Sequence, residues 1–158
     1  MNDTAKKAVG LLIEKGETVA VAESCTGGLI AKLITDIPGS SGVFHLGAVT
    51  YSDDIKNRIL GVNRETLDTY GAVSAQTAVE MAENVRKLAG ARYGVSSTGI
   101  SGPGGDGKCN EAGLSFIAVS TAKKTVCKKL ETHSGDREFN RNNTAENALS
   151  LLIEIIED

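Results

Sequence analysis

The chain has 158 residues, the length of one domain at roughly 150 residues each, spanning 1–158, and long enough to bury about two thirds of its unfolded surface without a disulfide or metal staple. Its 17 Lys and Arg stand against 20 Asp and Glu for a net charge of −3, and aromatics make up 4% with no Trp. That excludes both the basic footprint and the stacking platforms of a nucleic-acid binder.

In chain order, Ala5–Glu14 places Ala8, Val9, Leu11, Leu12 and Ile13 at helical spacing and is closed by Gly16. Thr18–Ala22 (TVAVA) reads as a buried strand, and SCTGG then leads into the helical run LIAKLITDI, which stops near Pro38-Gly39. Val43–Tyr51 reads as a strand, followed by a helix over Ser52–Leu60 with Ser52 as N-cap and Gly61 as stop. Ser74 caps a helix over Ser74–Leu88, whose stripe is Ala78, Met81, Ala82, Val85 and Leu88. Tyr93–Thr98 is a strand, Gly99–Lys108 a glycine-rich loop, and Leu114–Thr121 pairs with Thr125–Thr132 as a hairpin. The last helix, Asp136–Ile156, carries Phe139, Ala145, Ala148, Leu149, Leu152, Ile155 and Ile156 on one side. This order predicts an α/β fold of three layers, α/β/α, with a mixed sheet covered by helices on both faces.

No apolar run approaches the 18 or so residues that span a bilayer, and Glu14 and Lys15 cut short the first apolar stretch, so it makes a poor signal peptide. Cys25, Cys109 and Cys127 are odd in number and far apart, with no CxxC, which argues against a disulfide framework or structural zinc. No His, Cys, Asp or Glu set has metal-ligand spacing. The expectation is a cytoplasmic protein with no bound metal, no cofactor, no nucleic-acid partner and no membrane contact.

Four places carry groups suited to chemistry. In AESCTGG a strand runs into a small-residue turn and a helix, where unpaired N–H groups attract an anion or a developing oxyanion. Ser24 is placed there to attack a carbonyl; equally, Ser24 or Thr26 serves as a plain N-cap. Cys25 is a second nucleophile, activated at a helix N-terminus, or a small buried hydrophobe. A serine needs a base. His45 and His133 lack the context of a triad, which leaves a lysine kept neutral by burial. Lys56 follows Tyr51 by five residues, about one turn into the third helix, so both can face the cleft of Ser24; the alternatives are a solvated lysine and a strand-end core tyrosine. Gly102–Lys108 (GPGGDGK) satisfies GxxxxGK, but Cys109 replaces the Ser or Thr that holds magnesium and a strand follows instead of a helix. That loop still offers N–H groups to a phosphate, and Thr98 stands beside it. Arg137 and Arg141 are four apart and would share a helix face, as a clamp for a carboxylate or phosphate or as two solvated charges.

Five blocks together — AESCTGGLIAKLITDIPGSS, GAVTYSDDIKNRILGV, YGAVSAQTAVEMAENVR, SSTGISGPGG and SGDREFNRNNTAENAL — resemble the CinA C-terminal domain family, from about Val9 to Ile156. The resemblance is to the stand-alone form, since full-length CinA proteins carry a further N-terminal domain. It implies a three-layer α/β domain, a homo-oligomer, and hydrolysis of nicotinamide mononucleotide to nicotinate mononucleotide and ammonia without a cofactor. The family's nucleophile falls on Ser24 and its partners on Tyr51 and Lys56. Its threonine falls on Thr98 and its arginines on Arg137 and Arg141. On this reading Lys56 deprotonates Ser24, directly or through Tyr51, and the N–H groups of Thr26, Gly27 and Gly28 bind the oxyanion. The phosphate of the small-molecule nucleotide lies against Arg137, Arg141 and the N–H groups of Gly102, Gly104 and Gly105. The alternative is a non-catalytic nucleotide-binding or regulatory module with the same cleft. Lys108–Gly113 departs from the family's usual Lys-Pro-Val-Gly run, and Leu46-Gly47 replaces its Gly-Gly.

Overall fold

A computed structural model describes residues 2–158. The VAVAE run is buried at every position because it is flanked on both sides: β1 (Val19–Glu23) lies between the parallel neighbours β2 (Phe44–Val49) and β3 (Tyr93–Gly99). The antiparallel β4 (Leu114–Ser120) and β5 (Thr125–Glu131) complete a five-stranded sheet in the order β2-β1-β3-β4-β5. Helix α1 (Asp3–Lys15), α2 (Leu29–Thr35) and α6 (Arg137–Glu157) cover one face; α5 (Ala75–Ala89) crosses the other, with α4 (Arg64–Tyr70) packed on it. α3 (Asp53–Arg58) is one turn and a half between β2 and α4. This is the expected three-layer arrangement with a mixed sheet.

Alternation along β1 divides the core. Val19 and Val21 join the leucines and isoleucines of α1, α2 and α6, while Ala20 and Ala22 meet Leu60, Val62, Leu67, Met81 and Val85. Small residues on the second face let α5 sit close. A Cβ on Gly94 would lie 2.1 Å from the Ala82 carbonyl, so that position accepts only glycine. The helix ends follow their caps: the Ser52, Ser74 and Asp136 side chains each accept an N–H of the first turn, and Gly16 and Gly90 close α1 and α5 in the left-handed conformation.

Some expectations need correction. Leu88 is 61% and Phe139 51% exposed; Leu88 lies next to the last residue of α5 and Phe139 in the first turn of α6. The buried face of α6 instead includes Leu151 and Ile153. α2 stops at Thr35 and β2 at Val49, short of the predicted ends. α4 has no counterpart among the predicted elements: its only buried residue is Leu67, so it has no stripe to read. No described helix is long and apolar enough to cross a membrane.

Candidate active site

Parallel strands deliver their C-terminal ends to one edge of the sheet, and the next segments diverge from there around a crevice. Ser24 is the first residue beyond β1, and its N–H still pairs with the Ser97 carbonyl of β3 at 2.9 Å. Beyond β2, Thr50 donates its N–H to the Glu23 carbonyl at 2.8 Å, and the chain turns into α3. That turn returns Lys56 toward Ser24. The Lys56 side chain is 1% exposed, with Nζ 2.9 Å from Ser24 Oγ and donating to the Thr50 carbonyl at 2.9 Å. Among the described residues no carboxylate forms a salt bridge with this buried amine. Burial lowers its pKa, and the nearby Asp53 carboxylate pulls in the opposite direction. A buried amine in hydrogen-bond reach of a hydroxyl is the pairing that general-base activation of serine requires.

These residues line a cleft of about 270 Å³, walled by Ser24, Tyr51, Asp53, Lys56, Thr98 and Arg137. Thr98 is 1% exposed and donates to the Ala72 carbonyl at 2.7 Å, which fixes the wall opposite α3. Arg137 donates to the Gly102 carbonyl at 2.8 Å and to the Tyr51 hydroxyl at 3.1 Å. Tyr51 therefore stands at the rim, 60% exposed, with its hydroxyl on Arg137. Only its carbonyl approaches Lys56, at 3.5 Å. Of the two expected routes, direct and through Tyr51, this geometry has Lys56 in direct contact with Ser24 and the Tyr51 hydroxyl elsewhere. Cys25 is 6% exposed, and burial pushes its thiol up to about 12, so of its two readings the structure fits the small buried residue and not the activated thiol. Neither His45 nor His133 lines the cleft.

The turn after Ser24 differs most from expectation. The α2 N-terminus is already occupied: the Glu23 carboxylate, 1% exposed, accepts from Gly28 N–H at 3.1 Å, Ile30 N–H at 3.0 Å and Ala31 N–H at 2.9 Å. It also accepts the Thr26 hydroxyl at 2.6 Å. Gly27 N–H donates to the Ser24 carbonyl at 3.0 Å. The N–H groups of Gly27 and Gly28 are thus spoken for and are not free for an oxyanion. Glu23 was not singled out from sequence. Its signal was a carboxylate ending an otherwise apolar strand, before a helix whose N-cap, Gly28, has no side chain to offer.

Arg137 and Arg141 do not form a clamp. Arg137 faces the cleft, whereas Arg141 donates to the Thr26 carbonyl through Nη2 at 2.8 Å and Nε at 3.3 Å, bracing the turn from behind. In the second glycine loop, Gly102 and Gly104 line the cleft, while Gly105 backs onto the Asn110 carbonyl. The loop continues into β4 and is tied down by Asn140, whose buried amide donates to the carbonyls of Ser101 and Ser134 at 2.9 and 2.7 Å.

Comparison with known proteins agrees with this architecture. A family sequence model described as the CinA C-terminal domain matches residues 1–156. The CinA-like protein of Endomicrobium trichonymphae is 49% identical over 152 residues, covering 96% of this chain and 35% of that protein. The CinA-like protein of Desulforapulum autotrophicum is 44% identical over 150 residues, covering 94% and 36%. The chain spans about a third of the length of these curated relatives. Among solved structures, a competence/damage inducible protein from Agrobacterium tumefaciens superposes with a TM-score of 0.93 at 38% identity, covering 100% of this chain and 98% of that one. A competence-damaged protein (CinA) superfamily protein from Klebsiella pneumoniae gives a TM-score of 0.94 at 28% identity, covering 99% of each. With its sequence and its fold in agreement over almost every residue, this chain belongs to the CinA C-terminal domain family.

Proposed function

We propose that the chain is a serine amidohydrolase that converts nicotinamide mononucleotide to nicotinate mononucleotide and ammonia. The observation that carries the reaction class is the buried Lys56 amine 2.9 Å from Ser24 Oγ, its pKa lowered by desolvation. The choice of substrate rests on the family resemblance read from the sequence. Neutral Lys56 takes the Ser24 proton as Oγ attacks the carboxamide carbon, and the carbonyl π pair moves onto oxygen. Among the described residues the N–H groups of Cys25 and Thr26 have no backbone acceptor, and they head the turn, which suits them to that oxyanion; losing one such donor typically costs about 2.7–4 kcal/mol. The oxyanion collapses, the C–N bond breaks, and the Lys56 ammonium returns its proton to the departing nitrogen, which leaves as ammonia. Water then attacks the acyl-serine and Lys56 accepts one of its protons; the C–Oγ bond breaks as Lys56 passes that proton to Ser24, and the acid so formed gives its remaining proton to solvent and leaves as the carboxylate.

The charges of the cleft suit the substrate. Asp53 lines the wall near Lys56, a place for a cationic pyridinium, and Arg137 stands at the mouth for a phosphate. The decisive assay measures ammonia from nicotinamide mononucleotide, beside nicotinamide. Wild type should release it from the nucleotide, and Ser24→Ala should lose about 10³-fold or more while remaining folded. Thermal stabilisation by the nucleotide without product would instead favour a binding module.

A further inference from the structure

We propose that Glu23 is the positioning residue of the nucleophile, holding the Ser24–Gly28 turn in register with Lys56; this rests on reading Ser24 as the nucleophile. The carboxylate belongs to the last residue of β1 and gathers four donors from the segment just after it, at 2.6 to 3.1 Å. Between donor and acceptor lies the turn that carries Ser24. One carboxylate thus fastens the far end of the turn to the strand from which the turn departs. Its best-bonded hydroxyl, Thr26 Oγ1, continues to Ser97 Oγ of β3 at 2.7 Å, so the turn is also fixed to the neighbouring strand.

The backbone of the same residue reaches the other half of the pair. The Glu23 carbonyl accepts Thr50 N–H, and the Thr50 carbonyl accepts Lys56 Nζ. Side chain and main chain of Glu23 therefore locate hydroxyl and amine from one point. No local substitute exists: Gly28, at φ 97, has no side chain to cap α2. A carboxylate accepts all four donors at once. A glutamine of the same shape accepts three at the Oε2 position and presents an NH₂ group to the Ala31 N–H.

The test is Glu23→Gln in the full chain, with kcat and KM measured at a temperature where circular dichroism shows complete folding. A misplacement of 1 Å can cost about 10²-fold, so kcat should fall about 10- to 100-fold. KM should stay within about threefold, because the carboxylate lies outside the cleft lining. A purely stabilising cap would lower the melting temperature and leave kcat intact, and that result overturns the proposal. A second readout needs no turnover. In a Cys109→Ser, Cys127→Ser background, maleimide labels only Cys25, which is buried in the turn. Glu23→Gln should label about tenfold faster; an unchanged rate shows that the turn does not depend on Glu23. If no amide is hydrolysed, the proposed reaction fails while labelling still decides whether Glu23 holds the turn. Should Glu23→Gln not fold, Thr26→Val removes one donor and the link to Ser97 while keeping the helix N–H bonds. It should lower kcat and quicken labelling in the same directions, and no change in either refutes the proposal.

Discussion

Two glycine-bearing loops flank the cleft, and they are built on opposite principles. In the first, Ser24, Cys25 and Thr26 are buried, and the Thr26 hydroxyl and carbonyl find partners on β1, β3 and α6. In the second, residues 103–109 are exposed. Their order comes from within, through Asp106, which accepts from Lys108 N–H at 2.9 Å, Asn110 N–H at 3.1 Å and the Asn110 amide at 2.7 Å. Glycine content is similar in the two, yet only the first places a nucleophile. What distinguishes a site here is polar atoms withdrawn from water and satisfied by several elements at once, since such a network holds one geometry.

The sharpest break in that comparison is Lys56→Met, which fills the same space without an amine. Ammonia release should fall about 10³-fold or more, as with loss of a member of a catalytic unit. Stability should respond in the other direction. Between the ordinary amine pKa of 10.5 and the lowered value in the fold, the unfolded chain holds a proton that the folded chain does not. Wild type therefore loses stability as pH falls through that window, whereas Lys56→Met does not. Urea unfolding from pH 10.5 downward should show the variant gaining on wild type, then a constant gap below the folded pKa. Over the same window, wild-type kcat/KM should rise with pH and level off once the amine is neutral. Parallel unfolding curves at every pH would contradict a neutral, buried base.

The next effect lies at the rim. Arg137 joins the second loop, through Gly102, to the connection between β2 and α3, through Tyr51. Hydrogen bonds to a charged group are each worth about 1.5–3 kcal/mol, so Arg137→Ala should raise KM for the nucleotide roughly 10- to 150-fold with a smaller change in kcat. Nicotinamide, which has no phosphate, should be indifferent to the change. Smaller again is Gly27→Ala. Gly27 has φ 61, and an added Cβ would lie 3.3 Å from Arg141 Nη2. The left-handed conformation costs an L-residue about 1–2 kcal/mol, to be read as a lower melting temperature.

Much of this was legible from residue patterns. α1 and α5 announce themselves by periodicity and caps, and β1 by an unbroken apolar run. Ser24 and Lys56 are legible because Ser24 directly follows β1 and Lys56 lies in the short helix after β2, and parallel strands bring those two ends together. What escaped notice depended on contacts between segments. Glu23 caps a helix whose first residue lies six positions later, outside the local capping code. Arg137 and Arg141 share a helical spacing, but one meets the second loop and the other meets the first; their neighbours, not their spacing, decide their roles. α4 buries one side chain and so carries no periodic signal.

The mildest substitution tests the second loop most directly. Gly104 lines the cleft, has no positive φ, and a Cβ there would meet nothing within 4 Å. Gly104→Ala should therefore leave stability within about 0.5 kcal/mol of wild type. Its KM separates two uses of the loop. Backbone that cradles a phosphate needs close approach, and a methyl group in the way would raise KM for the nucleotide while sparing nicotinamide. Unchanged KM would assign phosphate recognition to Arg137 alone and reduce the loop to a wall. Gly27→Ala and Gly104→Ala add the same methyl group, so a larger loss of stability in the first reads the left-handed backbone and the nearby Arg141, which Gly104 lacks.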